Sequence, residues 1–180
     1  EFSIELAIGL IGIMMFWLGL MRIAEAAGLV KFLAKLLKPV MVFLFPDVDP
    51  DGDAMGAILM NVAANMLGLG NAATPLGIKA TKELQKENPY KSYASNAQCM
   101  LLAINTSSVT LLPATVIGYR AAAGSANLME FWPVMIISTT TATIVAVIAT
   151  KILEKLPVFA IPANAEKNDF TDDEEEGAGT

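Results

Sequence analysis

Residues 61–77 read NVAANMLGLGNAATPLG, apolar enough for a membrane helix yet too rich in glycine, asparagine and proline to form one unbroken. The stretch lies inside an uncharged run of 25 residues, Ala54 to Ile78, longer than the ~20 that a helix needs to cross a bilayer. Gly68, Gly70, Gly77 and Pro75 interrupt a helix there, and Asn61, Asn65 and Asn71 bring amides into the apolar run. Backbone freed by such a break is tolerated at membrane depth only where protein buries it or a polar cavity receives it. The stretch therefore predicts a broken helix at a candidate site.

A second uncharged run, Ser92 to Tyr119, follows the same grammar. Its centre, AINTSSVTLLPAT, holds Asn105, Thr106, Ser107, Ser108, Thr110, Pro113 and Thr115. Each run has an apolar helix, a small-and-polar break opening on Asn (Asn71, Asn105), then Pro (Pro75, Pro113). Each exit has a base followed by Ala, at Lys79–Ala80 and Arg120–Ala121. This is a weak internal repeat, and paired interrupted segments are a sequence pointer to a transporter binding site.

The candidate substrate-binding residues are Asn61, Asn65, Asn71 and Thr74 from the first run, and Asn105, Ser107, Ser108 and Thr110 from the second. Gly68, Gly70, Pro75, Gly77 and Pro113 are the expected hinges. Two readings of the amides stay open. An unpaired amide costs several kcal/mol in an apolar medium, so the asparagines either satisfy one another and the broken helix ends or bind a small molecule or ion. A lone Ser or Thr is more often a packing residue. A site of Asn, Ser, Thr and helix ends, without an ionisable side chain, suits an uncharged polar ligand or a zwitterion.

The rest of the chain agrees with a membrane setting. It is 54% hydrophobic and only 17% charged, with a mean hydropathy of +0.54. Residues 161–180 carry seven acids and one base, which accounts for the whole net charge of −6 and leaves the body neutral. Leu6–Met21 and Phe131–Thr150 read as membrane helices, the first holding Trp17 near one end. Ser138, Thr139, Thr140, Thr141 and Thr143 are expected to bond to the helix backbone or to neighbours. Residues 25–45 set Lys31, Lys35 and Lys38 on one face, either of a helix in the membrane surface or of one packed on others, with Pro39 and Pro46 bracketing its end. DVDPDGD, Asp47 to Asp53, mimics the start of a calcium loop but has Ile58 where the bidentate Glu belongs. A polar turn with Asp53 capping a helix from Ala54 is the simpler reading. Lys79 to Glu87 continues as an amphipathic helix that ends near Asn88–Pro89, and Gly124–Met129 is a loop.

These features exclude several classes. Nothing suggests nucleic-acid binding, Cys99 alone forms no internal disulfide, and the absence of histidine removes the commonest general base and metal ligand. A serine hydrolase needs a base beside Ser107 or Ser108, and the lysines cluster elsewhere. Neither an enzyme, a metal nor a cofactor is expected. The chain opens on Glu1 directly into an apolar run, which suggests that residues precede it.

The motifs GLGNAATPLGIKA (68–80) and AINTSSVTLLPATVIGYRAAAGSAN (103–127), with LAIGLIGIMMFWLGLMRIAEAAGL (6–29), resemble the spore maturation protein A family, which carries a nucleoside recognition or Gate domain. The resemblance runs from about Glu5 to Leu156. It implies an all-α polytopic protein of the bacterial plasma (inner) membrane, with two interrupted, re-entrant-like hydrophobic segments. It also implies a further helix upstream of Glu1 and a sister subunit like spore maturation protein B. Gate domains are similar to elements of concentrative nucleoside transporters and of the ferrous-iron transporter. The motif positions carried over are Asn61, Asn65, Gly68, Gly70, Asn71, Thr74, Pro75 and Gly77, then Asn105 to Ser108, Thr110, Pro113 and Thr115. The expected organisation is a Gate-type membrane domain over 1–156 and an acidic disordered tail over 157–180. The expected function is one subunit of a transporter for a nucleoside-like or other polar or zwitterionic solute, working in the lipid bilayer. The alternative is a non-transporting assembly or maturation factor.

Overall fold

Where the helices break decides how the chain packs. A computed structural model describes residues 26–69, 73–107 and 109–159, together with Met15, Gly19 and Ile23. Among these residues the regular structure is entirely helical. Most of the expected helix at Leu6–Met21, the residues Gly70, Asn71 and Ser108, and the chain from 160 onward lie outside the described residues.

Helix α1 spans Leu29–Leu44 and follows Gly28, whose φ of 88° is a conformation that glycine adopts at little cost. Val30, Ala34 and Met41 fall on one helical face and are buried against the next helix, while Phe32, Leu36 and Phe43 face outward. Of the two readings of this segment, the packed helix is the geometry found. Pro39 does not bracket its end. The helix runs through it, leaving the Lys35 carbonyl without its usual i+4 donor, and packing of the buried face outweighs that loss.

The acidic turn that follows is exposed at Asp47, Asp49 and Asp51 and anchored by buried Phe45 and Val48. Lys38 donates to Asp51 at 2.6 Å, and this contact holds the Asp51 carboxyl below the usual carboxylate range. Among the described residues no acidic cluster has the arrangement to hold a metal ion. Asp53 is not the cap either. Helix α2, Asp53–Met66, starts on Asp53 itself after Gly52, and no side-chain cap bond forms. The carboxylate instead sits in the first turn, where the helix dipole favours it.

Helix α2 is the hub, packed against α1 and two later helices, and most of its length is buried. Ala57, Ala63 and Ala64 allow neighbouring backbones to approach closely. After the break, α3 (Thr74–Glu87) starts with Pro75 in its first turn and folds back along α2, burying Ala80 and Leu84. Its end is fixed by Asn88, which is 3% exposed and donates to the Tyr93 carbonyl at 2.6 Å. Helix α4, Asn96–Thr106, opens on a reciprocal cap in which Ser95 and Gln98 each accept from the other's backbone N–H. It packs against α2, α3 and α6.

A second break leads to α5 (Ala114–Ala122), which makes no comparable packing with another described helix. Its Arg120 ties the following loop by donating to Ser125 Oγ and the Asn127 carbonyl, and lies 5.5 Å from the Phe131 ring centre. Helix α6, Trp132–Leu153, has none of its residues buried and is long and apolar enough to cross a membrane. Thr139, Thr141 and Thr150 donate to carbonyls one turn back, as their positions predict. Pro157–Phe159, the start of the expected tail, forms one 3-10 turn.

Candidate functional site

Both expected breaks exist. One lies between the end of α2 at Met66 and the start of α3 at Thr74, the other between the end of α4 at Thr106 and the start of α5 at Ala114. Their described residues touch. The Leu111 N–H donates to the Met66 carbonyl at 2.7 Å, joining the second break to the last residue of α2. Gly68 has a φ of +68°, and a Cβ placed there would stand 2.0 Å from the Leu112 carbonyl oxygen. Only glycine fits, for its conformation and for the closeness of the other chain. One turn back, Asn65 Nδ2 donates to Asn105 Oδ1 at 2.8 Å, so an amide from each broken segment meets across the junction.

Below that pair Asn61 is 2% exposed and donates to the Ala73 carbonyl at 3.2 Å, tying α2 to the start of α3. Its own carbonyl oxygen, buried, has no hydrogen-bond partner among the described residues. Gly77 is where α3 makes room for the Asn61 amide nitrogen. A Cβ there would lie 3.0 Å from Asn61 Nδ2 and 4.0 Å from Asn105 Nδ2. A buried acceptor without a donor costs about 1–3 kcal/mol, so this oxygen is the most conspicuous unmet demand of the site.

Asn61, Asn65, Asn105 and Thr74 line one side of an open cleft of about 860 Å³ between α3 and α4. That size is in the range of small-molecule sites. Four of the sequence-predicted binding residues thus come together. Two others do not line it: the Ser107 hydroxyl bonds back to the Ala103 carbonyl at 2.7 Å, and the Thr110 methyl lies beside Gly68. Asn71 and Ser108 lie outside the described residues. Of the expected hinges, Pro75 begins α3 and Pro113 immediately precedes α5, so both mark where a helix restarts.

The cleft also has a far end that the sequence reading did not include. Thr81, Lys82 and Gln85 extend the Gly77 face of α3, and Lys91, Ser92 and Gln98 close it from the connection and from α4. Gln98 donates to Gln85 at 2.8 Å, while the Lys91 ammonium donates to the carbonyls of Gln85 and Lys86. The expectation was of a site free of ionisable side chains, and the lining of this cleft includes two lysines. The signals were present: positions 74, 77, 81 and 85 share a helical face, and Ser95-x-x-Gln98 is a capping box that places Gln98 at the start of α4. The arrangement offers hydrogen-bonding amides at one end, positive charge at the other and apolar walls from Ile78, Leu101 and Leu102.

The second break has a further support. Trp132 Nε1 donates to the Leu111 carbonyl at 2.8 Å, and the Thr143 hydroxyl faces the Ser107 carbonyl, so α6 takes up the acceptors that the missing helix leaves free.

The family model for nucleoside recognition, Gate, matches residues 7–123. Spore maturation protein A of Bacillus subtilis (strain 168) is 45% identical over 146 residues, covering 81% of this chain and 74% of its own length. No solved structure matches significantly. The chain belongs to the spore maturation protein A family of nucleoside-recognition (Gate) proteins.

Proposed function

We propose that this chain is the membrane subunit of a small-solute transporter, acting with a sister subunit, and that the cleft between α3 and α4 is its solute site. The observation that carries the reading is the Asn61 carbonyl, buried and without a donor, in a cleft where Asn65 and Asn105 pair across two broken helices. The Asn61 carbonyl is enclosed in this state, and a nucleoside-like or other polar solute supplies its donor when the breaks move. The family's nucleoside-recognition description and the apolar, unburied α6 support the same assignment. In this reading α6 crosses the membrane and the outward stripe of α1, with Phe32, Leu36 and Phe43, faces lipid. The two interrupted segments enter the bilayer without crossing it, and the breaks are the moving parts that expose the cleft alternately.

A second reading is a maturation factor that transports nothing. It is favoured by the bonds already made, Asn65 to Asn105 and Asn61 to the Ala73 carbonyl, which leave little of the asparagine set unpaired. Purification of the full-length protein from its own membranes, followed by native mass spectrometry, separates the two. The transporter reading expects a sister subunit and a bound small molecule, the latter lost in Asn61→Ala and Asn105→Ala. A stable complex without any solute in the unsubstituted protein supports the maturation factor, and a protein recovered alone and empty contradicts the two-subunit reading.

A further inference from the structure

The charges along the cleft are one-sided. Lys82 and Lys91 line it, and no carboxylate does so among the described residues. Nearby Glu83 is paired with Lys86 at 3.2 Å and lies outside the lining. The Lys91 ammonium rests on the carbonyls of Gln85 and Lys86, at 2.7 and 3.0 Å, so much of its charge answers the carboxyl end of α3. Lys82 has no such partner among the described residues and is exposed. Five residues separate it from Gly77, against which Asn61 and Asn105 lie, and that is about 7.5 Å along a helix axis. The amino end of α3, at Thr74, adds potential of the same sign.

We infer that the cleft selects a solute with two unlike ends: an uncharged hydrogen-bonding group against Asn65 and Asn105, and an anionic phosphate or carboxylate group over Lys82. The inference rests on the cleft being the solute site and adds the charge of what it takes. Lys82 is the specificity-determining cation, since its charge is unspent. The asparagine end reads hydrogen-bonding pattern through Asn65 and Asn105, which line the cleft and are only partly buried. A solute with a positive group at that distance is rejected, because nothing along the lining offsets it.

The chain carries its own reporter. Cys99 is the single cysteine, is exposed, and lines the same cleft. Its rate of modification is measured in the full-length protein, with any cysteine outside residues 1–180 changed to serine, in non-ionic detergent at low salt. The reagents are an anionic sulfonatoethyl and a cationic trimethylammonioethyl methanethiosulfonate, each normalised to its rate with a free thiol. The expected anion-over-cation ratio is about two- to fivefold, the size that one unit charge produces across a water-filled cleft at low salt. It falls toward one in Lys82→Gln and inverts in Lys82→Glu. A ratio at or below one in the unsubstituted protein, or one unchanged by Lys82→Gln, overturns the inference.

Protection of Cys99 then identifies the source of the anion. Protection by glycerol 3-phosphate in detergent assigns a soluble solute, and protection only in nanodiscs containing phosphatidylglycerol assigns a lipid headgroup. Protection by neither overturns the inference. Its failure is separable from that of the transporter reading. A solute that copurifies in an Asn61-dependent way, from a protein whose Cys99 shows no charge preference, leaves transport standing and removes only the anionic requirement.

Discussion

The two breaks are written alike and held differently. The first, at 67–73, lies inside a helical hairpin: α3 folds back on α2, and the Asn61 amide and the Gly77 gap lock the two arms together. The second, at 107–113, has no such hairpin, because α5 does not pack on α4 to a comparable extent. Its carbonyls at Ser107 and Leu111 are taken up by Thr143 and Trp132 of α6, and its Leu111 N–H by the end of α2. A similar string of residues therefore yields a self-contained element in one place and a strap laid between two others in the second. The likeness is local chemistry, a way of ending and restarting a helix, and the tertiary partners differ.

That contrast can be broken first at its closest contact. Gly68→Ala should be the most damaging single change, costing at least about 3 kcal/mol, because a left-handed residue and a backbone clash coincide there. Gly124→Ala is the matched control: its φ of +69° is similar but nothing lies within 4 Å, so only about 1 kcal/mol is expected. Thermal unfolding in detergent reads both, and equal losses would show that the closeness of the two breaks is not what Gly68 serves.

Removing the strap's supports comes next. Trp132→Phe and Thr143→Val should each cost about 1 kcal/mol and together about 2. Their effect should be regional. Hydrogen exchange should rise over 107–113 and stay unchanged over 67–73, whereas a uniform rise would mean that the two breaks are one cooperative unit.

The Asn65–Asn105 bond offers a smaller and sharper measurement. A double-mutant cycle to Ala should return a coupling of about 0.5–1 kcal/mol. A coupling near zero would leave the breaks adjacent but energetically independent. Smallest of all is Asp51→Asn at the exposed Lys38 contact, far from either break. Because the Asp51 carboxyl is lowered in the folded protein, its contribution is present above the ordinary carboxylate range and is lost as pH falls through the folded value. The change should be barely detectable and vanish in high salt, in contrast to the buried contacts at the breaks.

Much of this was legible before any coordinates. Gly68, Pro75 and Pro113 mark where the chain must leave or restart a helix, and an asparagine in an apolar run demands a partner, so the breaks and the Asn61, Asn65, Asn105 group were readable from local rules alone. The start of α6 followed from the uncharged run 131–150, although the helix continues through Lys151 to Leu153. What local rules missed was set by tertiary packing. Pro39 reads as a terminator, yet the buried Val30, Ala34 and Met41 face carries α1 past it. Ser107 reads as a binding hydroxyl, yet a hydroxyl at a helix end finds the carbonyl four residues back before it finds a ligand. The lysine end of the cleft was missed because Lys82 and Lys91 look like ordinary surface charges until α3 folds back and α4 is set opposite.

The most direct test is whether the two broken segments meet at their asparagines in native membranes. Asn65→Cys and Asn105→Cys are combined in a Cys99→Ser background and treated with a one-carbon bis-methanethiosulfonate. The same is done for a control pairing Asn65→Cys with Val134→Cys on the outer surface of α6. The account predicts an intramolecular cross-link in the first pair and none in the control. No cross-link in the first pair, or equal yields in both, would contradict it.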